Sequence, residues 1–560
     1  MEAMQPETIA DHGKASRLQT VAFWASLVLV AALYLGMTNN RFHFLMSASS
    51  GDILLAEAIA EGHGFREVWR LGSPPCTVRP PGLAFVLAPF AFPPEINLFA
   101  MKLMNNLFGP LGFVGAYLFL LVRTRNRYAA LMMALYASTL FFLVGQARFL
   151  YSGIAYFALV SWSLYFFERT RQRVFADRWR LTVFSVLSAA AFLVRSIGIA
   201  VGFSGAASLA LSGRGSRRLR MFWTAFVLAV VMGAAGGWTL RNYLAEGAKD
   251  EPYLSKLMVG EPLDSLYWLA EDQGVPIMPE PKPLNTARFV QRIYSNTAYY
   301  IDRVAGTLAA PLDLAPYPVR AVVSVLFLVS AVAGAALLLL RERGAAEFYV
   351  IFTLAIAVLW PFPHERYLAP ALPPLLLCVY QLANSAARRM NGKGRFLVGG
   401  LSAVLVAATL ANIAYDTADL ADRFADVPFS RPHPSGFEVV TERPAAMNSM
   451  LLLEWVRENT EEDAVVMFHS INPCGLVARR TCAAVPMAPP GRVMEYIDSN
   501  GIDYVVMDDE MGEWGASFFS ENFLLSAIDE HPERFGPVGG IKSSPHRLRA
   551  KVYRVVPASR

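Results

Sequence analysis

Charge is scarce in this chain. Only 17% of its 560 residues are charged while 54% are hydrophobic, a balance that excludes an ordinary soluble protein and makes the chain polytopic. Cysteine is scarce too, and four residues are too few for a disulfide scaffold. Cys76 stands in the first loop and can be free, and Cys378 lies in an apolar run where it packs. Cys474 and Cys482 fall in a tail placed outside the membrane, where an oxidising compartment can pair them or leave two thiols. A G-x-x-x-x-G-K-[ST] loop is missing, as is a glycine fingerprint between a strand and a helix. The run from Gly233 to Trp238 lies within an apolar span, where small residues serve helix contact. A small-x-small cleavage site is missing after the first apolar run, so Val21 to Met37 reads as a retained helix, not a cleaved signal.

What is present is a series of apolar runs able to cross a hydrocarbon core of about 30 Å, about eleven in all. They lie near 21–37, 97–122, 129–145, 149–167, 181–195, 197–212, 221–240, 318–340, 347–362, 368–387 and 396–415. Arginines cluster after every second run: Arg123 and Arg125, Arg169 and Arg171, Arg217 and Arg218, Arg341 and Arg343, Arg388 and Arg389. The positive-inside rule puts these turns and the N-terminus in the cytoplasm, and the first loop (38–96), the loop 241–317 and the C-terminal tail outside. The net charge of +5 is thus topology and does not imply a nucleic-acid partner. The expected organisation is a membrane domain over 1–415 and an extracytoplasmic α/β domain over 416–560. Strands are expected at 463–470, 502–508 and 551–556, and helices near 447–458, 492–499 and 518–531. In the long loop, Phe289, Ile293 and Ile301 are spaced for one helical face, either along the membrane interface or on a solvated loop helix.

The stretch 47–90 holds an acid, a Gly-punctuated helical turn, several arginines and a Pro-Pro-Gly return to apolar sequence. If a helix starts at Asp52, then Leu55, Ala56 and Ile59 share its side, while Glu57 and Glu61 face the opposite way, toward water. After Ser49, Ser50 and Gly51, spacing alone favours Asp52 as the cap of that helix.

This acid after the first span, followed by "RPPGLAFVLAPF", resembles the first external loop of GT-C glycosyltransferases, the superfamily of bacterial protein mannosyltransferases and aminoarabinose transferases. "ERYLAPALPPLLL" (Glu365 to Leu377) and "WTLRN" (Trp238 to Asn242) resemble further landmarks of that family. The resemblance implies a polytopic α-helical GT-C-like fold with a small C-terminal α/β domain. It implies an inverting transferase that moves a sugar from a polyprenyl-phosphate donor to a protein, lipid or glycan acceptor outside the cytoplasm of a bacterium, in the inner membrane. Asp52 occupies the place of the family's catalytic base, and a carboxylate partly withdrawn from water is a better proton acceptor.

An arginine fork suits the phosphate because it binds two oxygens and stays charged. Arg366 matches the family's Arg-Tyr landmark; Arg79 precedes Pro80 and Pro81, and Arg241 heads the long loop. Each also suits an interfacial arginine reaching lipid headgroups. His364 is a further donor-site candidate or a hydrogen-bonded boundary residue. Arg195, between two apolar spans, is a candidate wall of the site or a helix-end anchor. In one respect the chain departs from the family: after Tyr151 and Ser152 it has Gly153 where many members place a second acid. A metal site is therefore not inferred, and Gln146, Arg148 or another outer-face residue would assist Asp52. The rival classes are a transporter or flippase for lipid-linked glycans, for which paired inverted repeats are expected and not seen, and a non-catalytic membrane protein.

Overall fold

The structure, a computed structural model, describes residues 7–43, 47–92, 96–172, 177–212, 216–246, 285–308, 312, 315–360, 364, 367–390, 394–425, 429–441, 444–486, 488–507, 515–540 and 551–557. In chain order, helices α1 (Glu7–Gly36), α2 (Ser47–Ala60), α3 (Gly82–Leu87), α4 (Leu98–Thr124), α5 (Arg127–Ser138), α6 (Phe141–Gly145) and α7 (Ser152–Gln172) come first. Then follow α8 (Arg178–Val194), α9 (Ile199–Leu211), α10 (Arg217–Glu246), α11 (Thr286–Leu308), α12 (Tyr317–Arg341), α13 (Ala345–Leu359), α14 (Leu372–Arg389) and α15 (Gly394–Ala425). The tail adds α16 (Pro444–Asn459), α17 (Ile471–Ala478), α18 (Pro490–Ser499) and α19 (Gly515–Glu530). The chain forms two compact units, one of residues 1–38, 102–238 and 294–422, the other of 39–101, 239–293 and 423–560.

The first unit is helical. Among the described residues five helices, within α1, α4, α10, α12 and α15, are long and apolar enough to cross a membrane. A sixth span results if α5 and the segment Phe141–Arg148, bent by 46°, count as one. The chain is a membrane protein, and among the described residues fewer helices meet this test than the eleven expected spans. Several expected runs fold instead as shorter apolar helices such as α9 and α13. α7 packs along α8 and α12 along α14, around a core that buries Tyr34, Phe113, Phe119, Phe157 and Phe184. Asn126 caps α5 by accepting from the Tyr128 and Ala129 amides at 3.0 and 3.1 Å, which starts the helix sharply after the arginine-rich turn.

Buried charge ties these helices together. Arg123 on α4 donates to Glu168 on α7 at 2.9 Å and also to Glu347 on α13. Arg171 joins Glu168 at 3.5 Å and Glu342 at 2.7 Å. In α11 the buried positions are Asn296, Tyr300, Val304, Ala305, Gly306 and Leu308, whereas Phe289 is 38% exposed. Asn296 is drawn in to donate to the Val358 and Trp360 carbonyls at 2.7 and 2.6 Å.

The second unit is α/β. A three-stranded sheet has the order β1-β3-β2, with β1 (Arg41–His43) parallel to β3 (Glu438–Thr441) and β2 (Phe429–Pro432) antiparallel to β3. A five-stranded sheet has the order β5-β4-β6-β8-β7, formed by β4 (Val465–Met467), β5 (Thr481–Ala483), β6 (Tyr504–Met507), β7 (Phe535–Gly540) and β8 (Lys551–Val555). β4 runs parallel to β5 and β6, and β8 antiparallel to β6 and β7. Three of these strands and α16, α18 and α19 fall where the tail's hydrophobic pattern expects them.

The first loop joins this unit by backbone pairing. Besides β1, its Arg70 forms a parallel bridge to Cys482, with Cys482 N donating to Trp69 O at 2.7 Å and Leu71 N to Cys482 O at 3.1 Å. The loop thus covers the β5 edge, which would otherwise expose unpaired amides and carbonyls.

Candidate functional site

Asp52 sits on α2, which begins at Ser47, one turn earlier than the sequence suggests. Asp52 is therefore inside the helix and is not its cap. Its neighbours Ile53 to Ala58 are all buried, because α2 packs on α3 and α17. Glu57 is buried as well, at 8% exposure, which overturns its expected place in water. It is held by Arg479 Nη1 at 2.6 Å, so the charge is compensated where it leaves solvent. Glu61 is exposed as expected, with its carboxyl raised by partial burial and by the Glu57 charge.

The chain reaches Arg79 through a loop closed at Arg66 and Pro75. Arg79 Nη1 lies 3.5 Å from Asp52 Oδ1, with side-chain exposures of 21% and 15%. Gly51 makes this approach possible, since a Cβ there would meet Arg79 Cζ at 2.7 Å. Two of the candidate residues thus form one part-buried pair of opposite charge.

Arg241 has other work. Its Nη1 donates to Cys76 O at 2.5 Å and its Nη2 to Phe65 O at 2.7 Å, and Cζ stands 5.6 Å from the Phe65 ring. Asn242 adds a bond to Thr77 O at 3.0 Å. The two residues fasten the 65–77 segment that leads to Arg79. Cys76 is buried, which pushes its thiol up, with the Glu67 charge adding to the shift.

In the helical unit, Arg195 ends α8 and places its Cζ 5.7 Å from the Tyr367 ring centroid. Tyr367 N donates to His364 O at 3.1 Å, and the His364 amide and carbonyl each lie 3.3 Å from Tyr300 Oη. His364 is thus a backbone-anchored residue whose ring lies 5.8 Å from that of Phe142. Gln146 and Arg148 are both buried on a short 3-10 turn, with Arg148 Cζ 5.0 Å from the Phe149 ring. Arg366 lies outside the described residues.

Three contributors could not be found from local sequence. Arg479 reaches Glu57 from a turn between two cysteines. Gly51 is marked only by the arginine that crosses it. Trp69 donates to Asn472 Oδ1 at 3.0 Å and lies across Gly475, pinning the first loop to α17. The expected choice for the tail cysteines resolves to a Cys474–Cys482 disulfide. Among the described residues no three His, Cys, Asp or Glu side chains are grouped to hold a metal ion.

No family model matches the sequence, and no curated protein matches it. Solved structures do. ArnT from Cupriavidus metallidurans in the apo state aligns with a TM-score of 0.55 at 13% identity, over 97% of this chain and 98% of that one. The same protein bound to undecaprenyl phosphate aligns at 0.52 and 12% identity, over 96% and 98%. The archaeal oligosaccharyltransferase AglB from Archaeoglobus fulgidus, in complex with an inhibitory peptide and a dolichol-phosphate, aligns at 0.53 and 12% identity, over 94% of this chain and 74% of that one. With its apolar helices and its small α/β region, the chain has the GT-C fold.

Proposed function

We propose that the protein is an inverting glycosyltransferase of a bacterial inner membrane, taking a sugar from a polyprenyl-phosphate donor to an acceptor outside the cytoplasm. The observation that carries this reading is the Asp52–Arg79 pair at 3.5 Å over Gly51. Similarity to folds solved with undecaprenyl phosphate and dolichol-phosphate supports the donor class.

The two side chains divide the reaction. Asp52 takes the proton of the acceptor hydroxyl as its oxygen attacks the anomeric carbon. The bond from that carbon to the phosphate oxygen breaks, and polyprenyl phosphate leaves with the electron pair. Arg79 is the cation that neutralises the charge growing on the leaving phosphate, an interaction stronger in the transition state than in the ground state. One displacement inverts the anomeric centre. Arg241 and Asn242 hold the segment that delivers Arg79, and they act through it.

The test is transfer by the purified protein in lipid, using polyprenyl-phosphate sugars labelled in the sugar and an envelope extract as acceptor. Label moving to an acceptor with the opposite anomeric configuration supports the reading. Label that stays in the lipid, or crosses the membrane still attached to it, contradicts it and favours a flippase.

A further inference from the structure

Within the helical unit, α12, α14 and α15 leave a groove of about 500 Å³ between them, within the size range of small-ligand sites. Its walls are apolar except for one hydroxyl: Ser330 stands on α12, Val379, Leu382 and Ala386 on α14, Phe396 and Gly400 on α15. A Cβ at Gly400 would meet no atom within 4 Å, so the space beside it is open. α15 is also the least buried of the five membrane-length helices, with 11% of its apolar stretch buried against 22–39% in the others.

The rim of the groove is cationic. Leu382 and Ala386 stand seven and three residues before Arg389, a spacing that stacks side chains on one helical face, so the lining stripe of α14 ends on a guanidinium. Arg341 follows Ser330 by eleven residues, three turns along the same face of α12, and its Nη1 donates to Ser385 Oγ at 3.4 Å, next to Ala386. Both arginines are exposed, and among the described residues neither is ion-paired. The acid beside Arg341, Glu342, is held by Arg171 at 2.7 Å. From Ser330 to Arg341 the helix rises about 16 Å, which matches half of a hydrocarbon core of about 30 Å. The groove is one leaflet deep.

We propose that this groove binds an anionic diacyl phospholipid, with one acyl chain lying between α12, α14 and α15 and the phosphate received by Arg341 and Arg389. Depth and charge together select the occupant. An acyl chain spans one leaflet, whereas a polyprenyl chain is far longer than the groove is deep. Guanidinium forks suit a phosphate, and two of them at a membrane surface favour a headgroup with net negative charge over a zwitterionic one. A second copy of this chain, packed here about a two-fold axis, would set the same arginines against their counterparts. The lipid seats α15, whose own packing is sparse, and it takes no part in the transfer reaction.

The experiment measures lipid retained by the full-length protein, delipidated in detergent and then offered phosphatidylglycerol or phosphatidylcholine with the same acyl chains, by mass spectrometry of the intact complex. Wild type is compared with the double variant Arg341→Gln/Arg389→Gln and with Gly400→Leu, each melted in lipid-free detergent to confirm that it is folded. Wild type is expected to retain phosphatidylglycerol about tenfold better than phosphatidylcholine, in keeping with two arginines at a membrane surface, and to melt higher with it. The arginine variant is expected to lose that preference. Gly400→Leu, which fills the open space, is expected to retain less of both lipids. Equal retention of the two lipids by wild type, a preference that survives loss of both arginines, or retention unchanged by Gly400→Leu overturns the proposal. Displacement of phosphatidylglycerol by equimolar undecaprenyl phosphate, or a dimer in detergent that Gly400→Leu disrupts, also overturns it and assigns the groove to a polyprenyl chain or to a second copy.

Discussion

Arg479 Nη1 lies 2.6 Å from Glu57 Oε2, joining the turn between Cys474 and Cys482 to the helix that carries Asp52. The arginine is held in turn. Its φ is +53°, a left-handed conformation that a non-glycine residue adopts at a cost, and its Nη2 donates to Ser435 Oγ at 2.7 Å. Arg479→Gln leaves the Glu57 carboxylate withdrawn from water without its cation, and is expected to destabilise the α/β unit by about 2 kcal/mol, below the range for fully buried pairs. The double variant with Glu57→Gln should recover part of that loss, since no unpaired charge remains. A double-mutant cycle by denaturant unfolding measures the coupling, and additive losses would show that the pair does not act as one.

His433 supplies a pH dependence. It is stacked on Phe437 at 4.5 Å between ring centroids, and its Nδ1 accepts from Ser435 N at 3.1 Å while Nε2 faces Val477 O at 3.4 Å. Burial, with the Arg479 and Arg457 charges, lowers its pKa to about 3 from 6.5. The unfolded chain therefore binds a proton below pH 6.5 that the folded chain refuses, and stability falls as the pH drops from 6.5 toward 3. This group alone is expected to cost about 2 kcal/mol at pH 5 relative to pH 8. Melting wild type and His433→Gln at both pH values tests it: the variant should lose less on acidification.

Arg123 is 4% exposed at its side chain and serves both Glu168 and Glu347, themselves 2% and 0% exposed. Arg123→Ala takes the bonded cation from the fully buried Glu347 and leaves Glu168 only Arg171, and breaking a buried pair of this kind costs about 3–5 kcal/mol. Arg123→Lys should restore little of it, because an ammonium does not present the planar fork that reaches two carboxylates at once. Thermal unfolding in detergent measures both variants.

Gly51→Ala tests the seat of Arg79. The added methyl meets the guanidinium at 2.7 to 3.0 Å, so the arginine must shift away from Asp52. Transfer is expected to fall about tenfold or more, as it does when a group that stabilises developing charge is displaced, with protein abundance unchanged. Undiminished transfer would mean that Arg79 acts elsewhere or not at all.

Much of this architecture is legible in the sequence, for identifiable reasons. Apolar length and arginine-rich exits announce the membrane helices, and the alternation after Asp416 announces β4, β6 and β8 with their helices. The acid following the first span makes Asp52 a candidate, and the structure sets Arg79 beside it. What stays hidden depends on partners far away in the chain. β1 reads as strand only once β3, nearly four hundred residues on, is beside it. β7, FGPVGG, has the glycine and proline of a turn and is a strand because β8 pairs with it as an edge. Glu57 was expected to face water from its helical angle, and Arg479 makes its burial tolerable.

The most direct measurement is sugar transfer by wild type and by Asp52→Asn in membranes matched for protein abundance, with labelled polyprenyl-phosphate sugars as donors. The amide keeps the side chain's size and loses its ability to take a proton. The account predicts a fall of about a hundredfold or more, in keeping with loss of a general base, while binding of polyprenyl phosphate is retained. Equal transfer by the two proteins would contradict the assignment of Asp52 as the base.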